Sequence, residues 1–318
     1  MLLALSVSAQ AQQPGKIFRI GFLAASTAAG NAGLLETFRQ EMRKFGWIEG
    51  KNIASEYRYG EQKPERLPEL AKDLARLKVD LILVVATPAA LAAKGATNSI
   101  PIVMVNAGDP VGVGLVASLA RPGGNITGNS GLSPELNSKR LEILKDVIPK
   151  LSSVGLLRPP PVSFATPEFQ LKEIRPAALA LKLKLEEIET QPDAKSLEGA
   201  FQTAKQKQVA AIMTTSNRPF FAQRKQIVEL AGKHRLPVMY FDKGFVDEGG
   251  LMSYGTDYDD LYRRAAVYVD KILKGAKPGE LPIQQATKFE FVINLKAAKQ
   301  IGLTIPVRVL ERANQVIK

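Results

Sequence analysis

Apolar runs and amphipathic stretches alternate along most of the chain. Leu81–Val85 is wholly apolar and predicts a central buried strand, whereas Ile53–Tyr59 alternates and predicts a strand with one polar face. Between such runs, apolar residues recur at helical spacing, as they do over residues 34–45 and 64–77. Repeated strand–helix units predict an α/β protein whose parallel sheets are covered on both faces. The 318 residues suffice for two such sheets, so we predict two doubly wound parallel-sheet lobes.

The stretch from residue 105 to residue 128 is expected to link the two lobes. An apolar run at residues 102–105 gives way to small and polar residues, which is typical of a strand that ends in a ligand-facing loop. We predict a short helix at residues 113–119 and a first passage to the second lobe at residues 127–130. A glycine pair at 249–250 marks a break, after which residues 251–253 are predicted to return as a strand to the first lobe. The predicted lobes are residues 16–127 with 249–282, and residues 128–248 with 283–318.

Composition excludes several classes of function. The chain has 45% hydrophobic and 23% charged residues, the proportions of a soluble globular protein. It has no cysteine, which excludes disulfides, thiolate catalysis and thiolate metal sites within it, and we expect no lipid-modified N-terminal cysteine. The net charge of +12 comes from Lys and Arg that are interspersed with acids, without a basic run. We therefore expect a solvated basic surface, no nucleic-acid partner, no metal or cofactor, and a monomer.

The first residues carry the pattern of an export signal. Residues 1–11 are apolar and end in Ala9-Gln10-Ala11, an A-x-A cleavage pattern, although the usual positive n-region is missing. We expect residues 1–15 to be the remnant of a cleavable signal peptide and an N-terminal tail, with a mature chain that begins at Gln12 in the periplasm. A frayed apolar N-terminus is the alternative explanation.

Three motifs together resemble a known family. They are GDPVGVGLVASLARPGGNITG at residues 108–128, TPAALAAK at 87–94 and GLMSYG at 250–255, and residues 277–303 resemble the same family's C-terminal signature. The family is that of ABC-transporter substrate-binding proteins of the tryptophan/tyrosine transport type. The resemblance implies a type I periplasmic-binding-protein-like fold, whose chain passes between lobes three times through a multi-strand hinge. It also implies hinge closure around a small molecule, often an aromatic amino acid, and delivery to ABC permease subunits in the inner membrane.

Candidate ligand-binding residues stand at the predicted carboxyl ends of strands, where ligands collect in open α/β sheets. They are Ser26, Thr27, Thr87, Pro88, Asn106, Asp109, Arg158, Thr215, Ser216, Asn217, Asp242 and Tyr254. Because they are divided between the two predicted lobes, we expect the ligand to lie in the cleft between them.

Four of these candidates, Thr87, Asp109, Arg158 and Tyr254, also have a structural explanation. Thr87 is predicted as the N-cap of a helix whose first residue is Pro88, and this helix start could hold a carboxylate or be simply capped. Asp109 could bind an amine or form a turn before Pro110. Arg158 could hold a carboxylate or remain a surface cation beside a proline-rich turn. Tyr254 could stack on a ring or belong to the core.

Enzyme functions find little support in the sequence. His234 is the only histidine, so a histidine-based triad or metal site lacks further members. Gly112, Gly114 and Ala117 fit the dinucleotide fingerprint, but they do not directly follow a predicted strand and no acidic residue ends a following strand. A nucleotide-dependent enzyme is therefore the weaker alternative. An effector-binding sensor of the same fold is the stronger one, and the export pattern disfavours it.

Overall fold

The computed structural model describes residues 16–131, 135–160 and 168–318. The predicted signal segment, residues 1–15, lies outside the described residues. Among those described, no helix is long and apolar enough to cross a membrane.

Elements are numbered along the chain, and the strands form two sheets. The first sheet has the order β11-β5-β4-β3-β1-β2 and contains β1 (Phe18–Ala24), β2 (Ile53–Tyr59), β3 (Leu81–Val85), β4 (Ile102–Gly108), β5 (Ile126–Gly131) and β11 (Gln284–Gln285). The second has the order β13-β12-β10-β9-β8-β6-β7 and contains β6 (Ser153–Arg158), β7 (Lys184–Glu189), β8 (Ala211–Thr214), β9 (Val238–Tyr240), β10 (Met252–Thr256), β12 (Phe289–Asn294) and β13 (Gln315–Ile317). All described pairings are parallel except β10 with β12.

Helices cover both faces of each sheet. They are α1 (Ala28–Lys44), α2 (Leu67–Arg76), α3 (Ala86–Ala96), α4 (Glu135–Val147), α5 (Glu168–Ala180), α6 (Ala194–Gln206), α7 (Arg218–Ala222), α8 (Arg224–His234), α9 (Gly244–Asp247), α10 (Tyr258–Leu273), α11 (Leu295–Gln300) and α12 (Val307–Leu310). The first sheet packs against α1 and α10 on one face and α2 and α3 on the other. The second packs against α4, α5 and α11 on one face and α6 and α8 on the other. The predicted class, two parallel-sheet lobes, is confirmed.

The chain passes between the two sheets three times, as the resemblance implies. It leaves the first sheet between β5 and α4, returns between β10 and α10, and leaves again between β11 and β12. Two details of the predicted passages are wrong. Ser130 and Gly131 still pair with Ala107 and Gly108 of β4, so the chain has not left the first sheet at residues 127–130.

The strand at residues 251–253 is predicted in the first lobe, but it belongs to the second sheet. Met252 pairs with Met239 of β9 and with Ile293 of β12, both in the second sheet. The chain reaches the first lobe only with α10, whose buried side chains pack in the core of the first sheet. The lobe boundaries given above remain predictions.

The helix predicted at residues 113–119 is absent, and turns occupy that stretch. Gly114 adopts a φ of 72°, outside the helical range. The backbone N–H groups of Leu115 and Val116 both donate to the carbonyl of Pro110, at 2.8 and 3.2 Å. Since these bonds run five and six residues back, the local hydrogen bonding replaces the regular four-residue ladder of an α-helix.

Candidate functional site

In each sheet, candidate residues lie at the point where the strand order reverses. In the first sheet, β1 lies between β2 and β3, so the crevice between β1 and β3 opens beyond their carboxyl ends. Ser26 and Thr27 follow β1 there, and Thr87 follows β3. In the second sheet, β6 lies between β7 and β8, which places Arg158 and Thr215 at the corresponding crevice. These five candidate residues therefore lie at the crevices where doubly wound sheets commonly bind ligands, and their role in binding remains a prediction.

The loop after β1 is held by a buried asparagine that the sequence pattern does not reveal. Asn31 is 1% exposed, and its Nδ2 donates to Ser26 Oγ at 2.6 Å and to the Thr27 carbonyl at 2.7 Å. Thr27 is the N-cap of α1, since its Oγ1 accepts from the Gly30 N–H at 3.1 Å. Because Ser26 Oγ accepts from Asn31, its own proton is left to donate to a ligand.

The start of α3 differs from the predicted arrangement. Val85 is the N-cap and the helix begins at Ala86, so the prediction of Thr87 as N-cap is wrong. Asn106 Oδ1 accepts the Ala86 N–H at 3.1 Å, and Thr87 Oγ1 accepts the Gly108 N–H at 2.9 Å. Side chains from the first turn of α3 and from β4 therefore satisfy one another's backbone, and Pro88 lies in the same helical turn. The positive end of the α3 dipole still points beyond the sheet, where it suits an anion.

Asp109 forms a turn, which is the structural role predicted for it as the alternative to binding an amine. Its Oδ1 accepts the Gly112 N–H at 2.9 Å, and its φ of 40° lies in the left-handed region that Asp tolerates. The residue itself is exposed at the end of β4. A carboxylate has about four acceptor sites, so one bond to the turn leaves capacity for an amine.

The side chain of Asn217 holds the loop after β8 through two hydrogen bonds. Asn217 Oδ1 accepts the Phe220 N–H at 2.8 Å and caps α7, while its Nδ2 donates to Thr215 Oγ1 at 3.0 Å. Thr215 and Asn217 are both buried, and Ser216, between them, is half-buried. The three candidate residues are thereby fixed beside the crevice of the second sheet.

Arg158 forms ion pairs with two glutamates on the neighbouring strand. Its Nε lies 3.1 Å from Glu187 Oε2 and its Nη2 lies 3.2 Å from Glu189 Oε2, both on β7. The two carboxylates balance its charge, which favours the structural explanation of this residue. Glu187 also pairs with Arg175 at 2.8 Å, so Glu187 belongs to an ion-pair network.

Asp242 lies beside a buried arginine, Arg140, which is not among the residues predicted to bind the ligand. Arg140 of α4 is 1% exposed, and burial lowers its pKa to about 10, although the charges of nearby groups, Asp242 among them, oppose that shift. Asp242 Oδ1 accepts the Gly244 N–H at 2.8 Å. A signal was available, because Arg140 falls midway between Leu136 and Leu144 on the apolar face of its helix.

Arg140 also reaches the strand that carries Tyr254. Its Nε donates to the Tyr254 carbonyl at 2.7 Å, and its Nη1 donates to Asn137 Oδ1 at 2.7 Å. Tyr254 lies within β10 rather than after it, and its ring centroid is 6.1 Å from that of Phe289 and 6.2 Å from that of Phe291. Packing among these aromatic rings is the core role given above as the alternative to stacking on a ligand.

Comparison with known proteins identifies the family. The family described as "ABC transporter substrate binding protein" matches residues 29–317, so the chain belongs to that family. It is a substrate-binding protein of an ABC transporter. The family consists of solute-binding proteins and is not a class of enzymes.

Relatives and solved structures agree with this assignment. A "Tyrosine-binding protein" of Clostridioides difficile (strain R20291) is 27% identical over 270 residues, which are 84% of this chain and 75% of that protein. The crystal structure of a conserved domain protein from Vibrio cholerae has a TM-score of 0.87 at 28% identity, covering 95% of this chain and 100% of that one. A Streptococcus pneumoniae ABC domain in complex with L-Trp has a TM-score of 0.86 at 26% identity, with the same coverage.

Proposed function

We propose that the chain binds an aromatic amino acid in the cleft between its lobes and delivers it to an ABC permease. The observation that carries the proposal is the similarity to the L-Trp complex, which extends over 95% of this chain. The relative described as a tyrosine-binding protein supports the same class of ligand. The carboxyl ends of both sheets supply polar groups on either side of such a cleft.

A free amino acid needs donors for its carboxylate and an acceptor for its amine. The amino end of α3 and the Ser26 hydroxyl are the donors that we assign to the carboxylate. Asp109 is the acceptor that we assign to the amine, because it is exposed at a strand end and has acceptor capacity beyond its turn. Asp242 is the second acid at a strand end, and its proximity to Arg140 makes it the weaker candidate.

The proposal includes a periplasmic location and hinge closure. The family's role as an importer receptor and the Ala9-Gln10-Ala11 pattern support export and a mature chain from Gln12. A ligand that contacts both lobes favours their closed arrangement.

Calorimetry with L-Trp, L-Tyr and L-Phe tests the ligand class, with L-Leu as an apolar amino acid without a ring. We expect saturable 1:1 binding of at least one aromatic amino acid and no comparable binding of L-Leu. Small-angle scattering at saturation should then show a smaller radius of gyration. If none of the three binds and mass spectrometry finds a different class of molecule in the purified protein, the proposed ligand class is wrong.

A further inference from the structure

A cavity of about 170 Å³ lies inside the first lobe, away from the strand ends described above. Helix α1 forms its roof, and β1, β2 and β3 form its floor. Most of its lining residues are apolar, and the buried ones include Ile20, Phe22, Leu35, Phe38, Met42 and Leu83. Trp47 and Ile48, which precede β2, also line it and place it towards the amino ends of the strands.

One small residue on the edge strand accounts for the cavity. Ser55 of β2 pairs with Ile20 of β1, and its neighbours on the same strand face are Ile53 and Tyr57. In this row of large side chains only Ser55 is short, so a gap opens above it. Helix α1, which also packs against α10, lies over the gap without filling it.

The polar groups around the cavity satisfy one another. Arg39 Nη2 donates to the Tyr57 hydroxyl at 2.9 Å, and Arg43 Nη2 pairs with Glu36 at 2.6 Å. Ser55 Oγ donates to Glu49 at 2.6 Å. Glu36 also lies 3.6 Å from Arg39, so these polar groups have partners at the rim of the cavity, and most of the side chains that line the cavity are apolar. The Arg39 and Arg43 side chains are 37% and 51% exposed, so they can swing aside to admit a molecule.

We propose that this cavity is a second small-molecule site, which takes a neutral apolar molecule the size of one aromatic ring. An apolar cavity of roughly 150 Å³ in another protein stays dry and binds benzene, so the volume and lining here fit the same class of ligand. The site is separate from the strand-end groups of the proposed amino-acid site and does not depend on them.

Benzene titrated into the purified protein tests the proposal, by calorimetry and by thermal melts. We expect saturable binding and a raised melting midpoint. Ser55→Leu fills the gap and should weaken benzene binding at least tenfold. Ser55→Ala is the matched control, because it loses the same hydrogen bond to Glu49 but leaves the gap, and it should bind benzene like the parent. Ser55→Val serves as a milder filling variant if the leucine is not accommodated.

Three outcomes would overturn the proposal. They are the absence of saturable benzene binding in the parent, equal binding in the filled and control variants, and displacement of benzene by an aromatic amino acid, which would place it in the interlobe site. Amino-acid binding measured on the same samples reports separately on the proposed function, and we expect all three variants to retain it.

Discussion

At the scale of single residues, asparagines hold the loops at the strand ends. Asn31 donates to Ser26 and Asn106 accepts from Ala86. Asn217 both accepts from Phe220 and donates to Thr215. An amide side chain can donate and accept at once, so one residue can fix two segments of a loop. The candidate ligand contacts are therefore positioned by neighbouring side chains before any ligand binds.

Asp109→Asn separates the two roles of that residue. Asparagine keeps an oxygen acceptor for the Gly112 N–H but removes the negative charge. If Asp109 binds the ligand's amine, the affinity for the aromatic amino acid should fall roughly ten- to a hundredfold, because a charge-assisted contact is worth about 1.5–3 kcal/mol. Calorimetry measures the loss. Glu229→Gln, on an exposed position of α8, is the control and should bind normally.

Unchanged affinity in Asp109→Asn would show that the residue serves only the turn.

Glu186 makes a pH-dependent contribution to stability. Hydrogen bonds from Lys184 and Lys207 lower the pKa of its carboxyl to about 2, from an ordinary value of 4.5. A lowered pKa stabilises the fold above the unfolded value, and this contribution is lost as pH falls from 4.5 towards 2. Glu186→Gln should therefore lower the melting temperature at pH 7, and the difference from the parent should shrink as the pH falls through that range. A difference independent of pH would contradict the ion-pair explanation.

At the scale of elements, hydrophobic pattern predicts strands well and their partners poorly. The bounds of β2 and β3 agree with prediction because alternation and continuous burial are local signals. The sheet to which β10 belongs is not a local property, since it is set by pairing with β9 and β12, which the five residues Met252–Thr256 do not specify by themselves. Turns that depend on a backbone conformation are also hard to predict, as Gly114 shows.

Gly128 of β5 lies where this strand closely approaches β4. Its φ is +124°, and a Cβ there would lie 2.3 Å from the Met104 carbonyl oxygen of β4. Gly128→Ala should lower the free energy of unfolding by about 3 kcal/mol, since both the backbone and its neighbour must shift. Urea unfolding measures the change. Gly95→Ala in α3 meets nothing within 4 Å and should raise stability by about 0.5–1 kcal/mol. Equal effects at the two positions would refute this account of β5.

At the scale of the whole molecule, two lobes are joined by three passages and by a small ion-pair cluster beside one of them. Lys243, which follows the end of β9, lies 3.3 Å from Glu290 of β12 and 3.6 Å from Asp259 of α10. Asp259 also accepts from Thr37 of α1 at 2.7 Å. The cluster thus connects the second sheet to the helices that cover the first. Sequence cannot reveal it, because Thr37 and Asp259, which are in contact here, are 222 residues apart in the chain.

Lys243→Ala should loosen the arrangement of the lobes, because it leaves Glu290 and Asp259 without their shared cation. These side chains are 30–41% exposed, so we expect an effect of about 0.5–1 kcal/mol, or roughly a two- to fivefold loss of affinity for the aromatic amino acid. Small-angle scattering at low salt should show a larger radius of gyration than for the parent, and high salt should reduce the difference by screening the pair. Lys233→Ala breaks a 2.8 Å pair with Glu198 that lies wholly within the second lobe, and it should change neither quantity. If both lysine variants behave alike, the cluster does not link the lobes energetically, and the three backbone passages alone set their arrangement.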